Sequence, residues 1–234
     1  MRTLNLNLLA AVGLTALLAA TPAFAQDNSV NINQMSSSNA AEVEQVGDSN
    51  SVDIYQYGAD NTASASQEGS GNSAAIHQAG SSETGTVSQL GDSNSAHLDQ
   101  LGYQNTADVA QEGDNNNAYV LQLGSDNSAT IAQTGDSNTA TAVQAGSGDS
   151  LDLTQEGDDN SVLTGQGGSG NSMLLTQTGN SNSMALSQSG ADNSITANQT
   201  GDDNSLEASQ YGSGHMLNVN QAGSGHSAVV TQSN

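Results

Sequence analysis

The side chains in this sequence that could do chemistry are carboxylates, a few imidazoles, glycine-rich loops and a very large number of amides. The chain carries 24 Asp and Glu against one Lys or Arg, with four His and no Cys. Paired carboxylates can run acid–base hydrolysis when a pocket keeps one protonated and the other ionised. Here Asp and Glu are spread along the chain, and none is flanked by a nucleophile. His215 and His226 stand eleven residues apart, which puts them on opposite edges of any two-unit repeat. His77 and His97 fall on one sheet in neighbouring rows, but two ligands make a poor metal site. The Gly-x-x-Asn segments resemble phosphate loops only in glycine content and lack the Lys. Nine-residue calcium repeats do not fit the spacing either. No catalytic residue, metal site or cofactor is expected, and the chain does not read as an enzyme.

The amides are the strong signal, because they are periodic. Gln34, Gln45, Gln56, Gln67, Gln78, Gln89, Gln100, Gln111, Gln122, Gln133, Gln144, Gln155, Gln166, Gln177, Gln188, Gln199, Gln210, Gln221 and Gln232 follow one another at eleven-residue intervals without insertion or deletion. Five places after a Gln comes Asn: Asn50, Asn61, Asn72, Asn94, Asn105, Asn116, Asn127, Asn138, Asn160, Asn171, Asn182, Asn193 and Asn204. Glu83, Asp149, His215 and His226 take that place elsewhere. Two places after the Gln stands a turn glycine: Gly47, Gly58, Gly69, Gly80, Gly91, Gly102, Gly113, Gly124, Gly135, Gly146, Gly157, Gly168, Gly179, Gly190, Gly201, Gly212 and Gly223. A repeat this strict governs the fold.

Amides at such spacing must be positioned by something equally regular. Within each unit the residues ending near Gln alternate, as in a half-buried strand. Asn127, Ala129, Ile131 and Gln133 point inward, while Ser128, Thr130, Ala132 and Thr134 point outward. Gly135-Asp136-Ser137-Asn138 then turns the chain, and Gly and Asn are the residues expected to take the positive φ. Two units make one 22-residue rung of strand, arc, strand, arc. The predicted fold is all-β: a parallel β-solenoid of cross-β type, two strands per rung, about nine rungs and two facing sheets. Gln and Asn are expected to stack along it as amide ladders. No apolar face recurs at helical spacing, and a Gly every eleven residues opposes a helix. Gly85 and Thr164 occupy inward apolar positions and predict two weak rungs.

Residues 1–25 read as a signal peptide. Arg2 precedes the apolar run Leu8–Ala20, and Ala23-Phe24-Ala25 is an A-x-A cleavage site. Residues 26–234 form the repeat domain, which contains no Lys or Arg. Such a polyanion is not expected to bind nucleic acid, which needs cations at phosphates, nor to insert into a membrane. Low hydrophobicity and high charge alone would suggest disorder, but the phased apolar pairs override composition.

The pattern Gln-x-Gly-x-x-Asn-x-Ala-x-x-x-Gln, clearest from Ile54-Tyr55-Gln56-Tyr57-Gly58 through Asn61-Thr62-Ala63 to Gln67, resembles the curlin repeat of curli fimbriae, the functional amyloid of bacterial biofilms. The resemblance implies a secreted, extracellular, cell-surface fimbrium subunit that self-assembles into amyloid fibres for biofilm matrix and adhesion. It implies a nucleator subunit and an outer-membrane secretion pore as partners. Physics points the same way, since a lone rung is unstable and both ends are expected to expose open strand edges. The alternative is a soluble β-solenoid binding protein, either ice-binding or a non-polymerising adhesin. Thr176, Thr178, Thr196 and Thr200 share one outward sheet, although Leu174, Asn198, Asp152 and Glu156 interrupt any Thr ladder.

The two outer faces are expected to differ. Tyr55, Tyr57, Leu101, Tyr119, Leu121 and Leu123 mark an apolar lateral face on one sheet, suited to bundling. Glu42, Glu44, Glu68, Asp108, Glu112, Asp152 and Glu156 face outward on the other. Asp48, Asp92, Asp114, Asp136, Asp158 and Asp202 fall along one edge, where like charges should repel, so assembly is expected to be faster in acid and in salt.

Overall fold

The computed structural model describes residues 3–9 and 27–234, and every regular element within them is a β-strand. The apolar pairs that alternate with small hydroxyl residues set these strands, and the arcs send successive strands to opposite sheets. Ser29–Met35, Ser51–Ala59, Ser73–Ser81 and their equivalents to Ser227–Ser233 form one sheet, which Thr3–Leu9 extends to eleven strands. Ala40–Asp48, Thr62–Ser70 and their equivalents to Met216–Ala222 form a facing sheet of nine. The architecture is a parallel β-solenoid of about nine turns with about 22 residues per turn.

All pairing is parallel, and from Ser29 onward each residue lies opposite the one 22 positions on, as in Ile54 with Ile76 and Ile131 with Leu153. Parallel strands need a crossover, and here the opposite half-rung supplies it. Val52, Ile54 and Gln56 are buried while Ser51, Tyr55 and Tyr57 are exposed. The core is one narrow column shared by both sheets, from Val30 and Ile32 to Leu217. Its two irregular positions are accommodated. A Cβ at Gly85 would lie 2.9 Å from Ile76 Cγ2, so the isoleucine already fills that space. Thr164 is buried and its hydroxyl donates to Thr141 O at 3.3 Å.

The arcs correct the expected turn chemistry. Positive φ falls on the Gly and on the residue before the Asn: Gly58 at 117° with Asp60 at 61°, and Gly135 at 108° with Ser137 at 59°. The Asn itself takes no positive φ and is the inward, buried residue that its place in the alternation indicated; Asn61 and Asn138 are fully enclosed. Glycine is required for a second reason. Successive arcs nest so closely that a Cβ on Gly113 would run into the carbonyl oxygen of Gly135 in the next rung.

Thr3–Leu9 lies within the expected leader, in register with Ser29–Met35. It covers the edge of the longer sheet that was expected to be open. The A-x-A site at residues 23–25 lies outside the described residues.

Gly113→Ala is expected to lower unfolding stability by more than about 2 kcal/mol, because strain and collision coincide. Gly165 has φ outside the left-handed region and nothing within 4 Å of a built Cβ. Gly165→Ala should therefore stay within about 1 kcal/mol of the parent or exceed it. Denaturant titration of the two variants side by side checks the contrast.

Candidate functional site

A Gln side chain offers two N–H donors and one carbonyl acceptor, and here each is placed to use them across rungs. In the longer sheet each Nε2, from Gln34 to Gln210, donates to the Oε1 of the Gln 22 residues on, at 2.6–3.0 Å. The facing column from Gln45 to Gln221 does the same at 2.7–2.9 Å. The other N–H reaches across the core to the first residue of the preceding strand in the opposite sheet. Gln56 donates to Ala40 O at 2.9 Å and Gln67 to Ser51 O at 3.1 Å. One buried side chain thus holds successive rungs together and ties the two sheets. Sequence spacing showed the first of these bonds and not the second.

The Asn residues work differently, because their side chain is one methylene shorter and sits where an arc meets a strand. Asn50 Oδ1 accepts from the backbone N–H of Asn72 at 3.0 Å, and Asn50 Nδ2 donates to Gly69 O at 2.9 Å. The pattern continues at Asn94, whose Oδ1 accepts from Asn116 N, and Asn116 Nδ2 donates to Gly135 O at 2.7 Å. Direct amide-to-amide bonds accompany this, such as Asn138 Nδ2 to Asn116 Oδ1 at 3.1 Å. The Asn column is chiefly a clamp on the backbone of the next arc. His215 and His226, at the same place, keep only part of it. Their backbone N–H groups meet Asn193 and Asn204, and their rings contact Tyr211 O and Ala222 O.

Glu83 and Asp149 fill Asn positions with an acid, and both are fully buried. Neither has an N–H for the glycine carbonyl that an Asn would reach. Glu83 accepts from Asn105 N at 2.9 Å and Asn105 Nδ2 at 3.3 Å. Burial pushes its pKa up to about 7, with the two Asn105 bonds pulling partly back. Asp149 Oδ1 takes both donors of Asn171, at 2.9 and 3.0 Å, while its buried Oδ2 has no hydrogen-bond partner among the described residues.

The aspartates beside the turn glycines were expected to contribute only repulsion. They also accept: Ser70 N donates to Asp92 Oδ1, Asp92 N to Asp114 Oδ1, Asp114 N to Asp136 Oδ1 and Asp136 N to Asp158 Oδ1, all at 2.8–2.9 Å. Asn180 takes the same role, accepting from Asp158 N at 2.9 Å. What the arc uses is the side-chain oxygen, and the charge is incidental to it.

On the outer faces, Tyr55, Tyr57, Leu101 and Leu123 are exposed, joined by Tyr103, Leu163 and Tyr211 on the same sheet. Tyr119 and Leu121 are half-buried instead. Burial pushes the Tyr119 phenol up from its ordinary pKa, and its bond to Asp99 and that carboxylate's charge add to the rise. The opposite face is less uniformly acidic than expected, since Leu90, Leu174 and Met216 are exposed there. Tyr55, Tyr57, Ala79 and Leu101 line a surface trough of about 480 Å³.

Asp99 is the residue that sequence reasoning missed. It lies between the two neighbouring histidines, 3.2 Å from His77 Nδ1 and 3.0 Å from His97 Nε2. Its other oxygen accepts from Tyr119 OH at 3.0 Å. The signal was present, since Asp99 follows His77 by one 22-residue rung. Counting histidines alone passed over it.

Seven segments of the chain match the family model described as Curlin associated repeat: residues 25–58, 58–91, 82–113, 103–135, 124–157, 157–190 and 190–223. No curated protein matches the chain.

Two outcomes test the exceptional acids. An acid whose folded pKa is raised favours its neutral form, so Glu83's contribution is fully present below about pH 4.5. It is lost as pH rises through about 7. Glu83→Gln should therefore raise stability at pH 8 by about 1–3 kcal/mol, with little gain at pH 4. Denaturant midpoints measured across that range would show it. Along the aspartate edge, Asp136→Asn keeps the acceptor and removes a charge, so it should be stabilising at low salt. Asp136→Ala strands the Asp114 amide and should cost about 1 kcal/mol. Equal effects of the two substitutions in thermal melts would contradict the acceptor role.

Proposed function

The chain belongs to the curlin-repeat family, and from that premise we propose that it is a secreted structural subunit that polymerises end to end into curli-like amyloid fibres. The observation that carries this reading is the direction of the glutamine ladders. Every Nε2 donates toward the C-terminal end, so one end of each column offers an acceptor and the other a donor. Gln34 Oε1 is buried without a partner among the described residues. Gln232, at the other end, accepts from Gln210 and directs one N–H to Met216 O at 3.2 Å. Its second N–H is a donor of the kind that Gln34's empty acceptor position lacks. Residues 27–234 place ten strands in one sheet and nine in the other, so a second copy stacked head to tail after a half-turn about the rod axis would continue both sheets, and the ladders with them, at the same spacing. Thr3–Leu9 pairs with Ser29–Met35, so removal of the leader would uncover the backbone edge of the longer sheet for such stacking.

The proposed setting is extracellular, on a cell-surface fimbrium of a biofilm matrix. A nucleator subunit and an outer-membrane pore are the proposed partners, a reading that membership of the family supports. Acidic charge with no Lys or Arg in residues 26–234 keeps monomers apart until a template is present. The exposed tyrosines and leucines of the longer sheet fit lateral bundling or attachment.

Purified residues 26–234 should form fibres with a meridional reflection near 4.8 Å, and sheared fibres should abolish the lag. Substituting Tyr57, Leu101 and Leu123 by Ser should thin the bundles and leave seeded elongation unchanged. A chain that remains monomeric when seeded would overturn the reading.

A further inference from the structure

We propose that His77, His97 and Asp99 bind one divalent transition-metal ion of the zinc–copper class on the outer face of the longer sheet. The three ligand atoms lie within 4.8 Å of one another. His77 and Asp99 are direct partners in adjacent parallel strands, and His97 is two residues before Asp99 on the same face of its strand. Metal bonds of about 2.0–2.1 Å at angles of 90–109° set ligand atoms about 2.9–3.4 Å apart. The two imidazole–carboxylate separations, 3.2 and 3.0 Å, already have that spacing. Only the histidine nitrogens need to adjust, and both side chains are about 40% exposed.

Supporting contacts hold the set in place. Tyr119 OH donates to Asp99 Oδ2 at 3.0 Å, leaving Oδ1 for the ion. An outer-sphere donor of this kind fixes a ligating carboxylate. The imidazoles pack edge to face at 5.0 Å between centroids, flanked by Tyr55 at 6.3 Å and Tyr119 at 5.5 Å. Two imidazoles with one carboxylate select zinc or copper over calcium or magnesium, which prefer all-oxygen sets. Residues 26–234 contain no Lys or Arg to repel the ion. Remaining coordination positions face solvent and would be filled by water, so the ion pins two successive rungs together.

The many carboxylates of this chain attract any dication, so the test must separate site from background. Zn²⁺ is titrated calorimetrically into the folded full chain with millimolar Mg²⁺ present to occupy the scattered carboxylates. One Zn²⁺ per chain is expected, with affinity at least tenfold weaker in His77→Ala and in His97→Ala. Tyr119→Phe should weaken it about tenfold, and His215→Ala should leave it unchanged. Zn²⁺ should raise the unfolding midpoint of the parent and not of His97→Ala. Cu²⁺ in the same site should show coupling to two imidazole nitrogens by electron paramagnetic resonance, and to one in either histidine variant. Zn²⁺ binding that Mg²⁺ displaces, or that both histidine variants retain at parent affinity, would overturn the proposal.

Discussion

Everything in this structure depends on a column of buried amides whose partners lie one rung away. A buried amide without partners costs several kcal/mol relative to water. Each Gln here can make its ladder bond only if the residue 22 positions on is another Gln at the same depth. An insertion of one residue in any strand would turn its Gln outward and its hydroxyl residues inward. It would also leave the Gln of the rungs before and after it without partners. That is why the period holds from Gln34 to Gln232 while the residues between drift freely. Val52, Ala74, Ala96, Ala118, Ala140 and Val162 succeed one another at one core position, because any small apolar side chain satisfies the packing there. Nothing but Gln satisfies the ladder.

The arcs impose the second constraint, and it concerns volume. Stacked backbones about 4.8 Å apart leave room for side chains that project away from the column. At the turn glycines the backbone bends so that a Cβ would project along the column instead, into the next carbonyl. The conformation near φ +110° is itself closed to side-chain-bearing residues. The next positive-φ site, near +60°, is the left-handed region that Asp, Asn and Ser tolerate. Accordingly Asp60, Ser82, Gln104 and Asn115 all occur there. The two sites of positive φ found in most arcs therefore carry very different sequence requirements.

Much of this was legible in the sequence, because an eleven-residue period with alternation inside it fixes which positions point inward and which share a column. Val52, Ile54 and Gln56 lie inward as their spacing indicated, and the two-sheet, 22-residue rung follows from each unit holding one strand and one arc. What spacing did not convey were relations between columns. The bond from Gln56 to Ala40 O crosses the core at a separation of sixteen residues, and no periodicity marks it. The Asn was placed inward by its spacing, but the left-handed conformation expected of it fell on Asp60, and its bond to the glycine carbonyl 19 residues on, as from Asn61 to Gly80 O, was not visible. The aspartates looked like charges, and their use as backbone acceptors became visible only with the arc geometry. Asp99 was overlooked because residues were weighed by type first and by place in the rung second.

The departures from the repeat are unevenly placed. His77, Glu83, Gly85, His97 and Asp99 fall within two successive rungs, while the run from Asn105 to Asn138 repeats its Gln, Gly and Asn without a lapse. Inside the column a departure must be repaired locally, as Ile76 does for Gly85 and Asn105 does for Glu83. Outside it no such penalty applies, and three successive rungs there gather imidazole, carboxylate and phenol at bonding distance. Stacking restricts the interior to residues that every rung can share. Any chemistry that distinguishes one rung from the next must therefore reside on the outer face, where register alone brings residues 20 and 22 positions apart into contact.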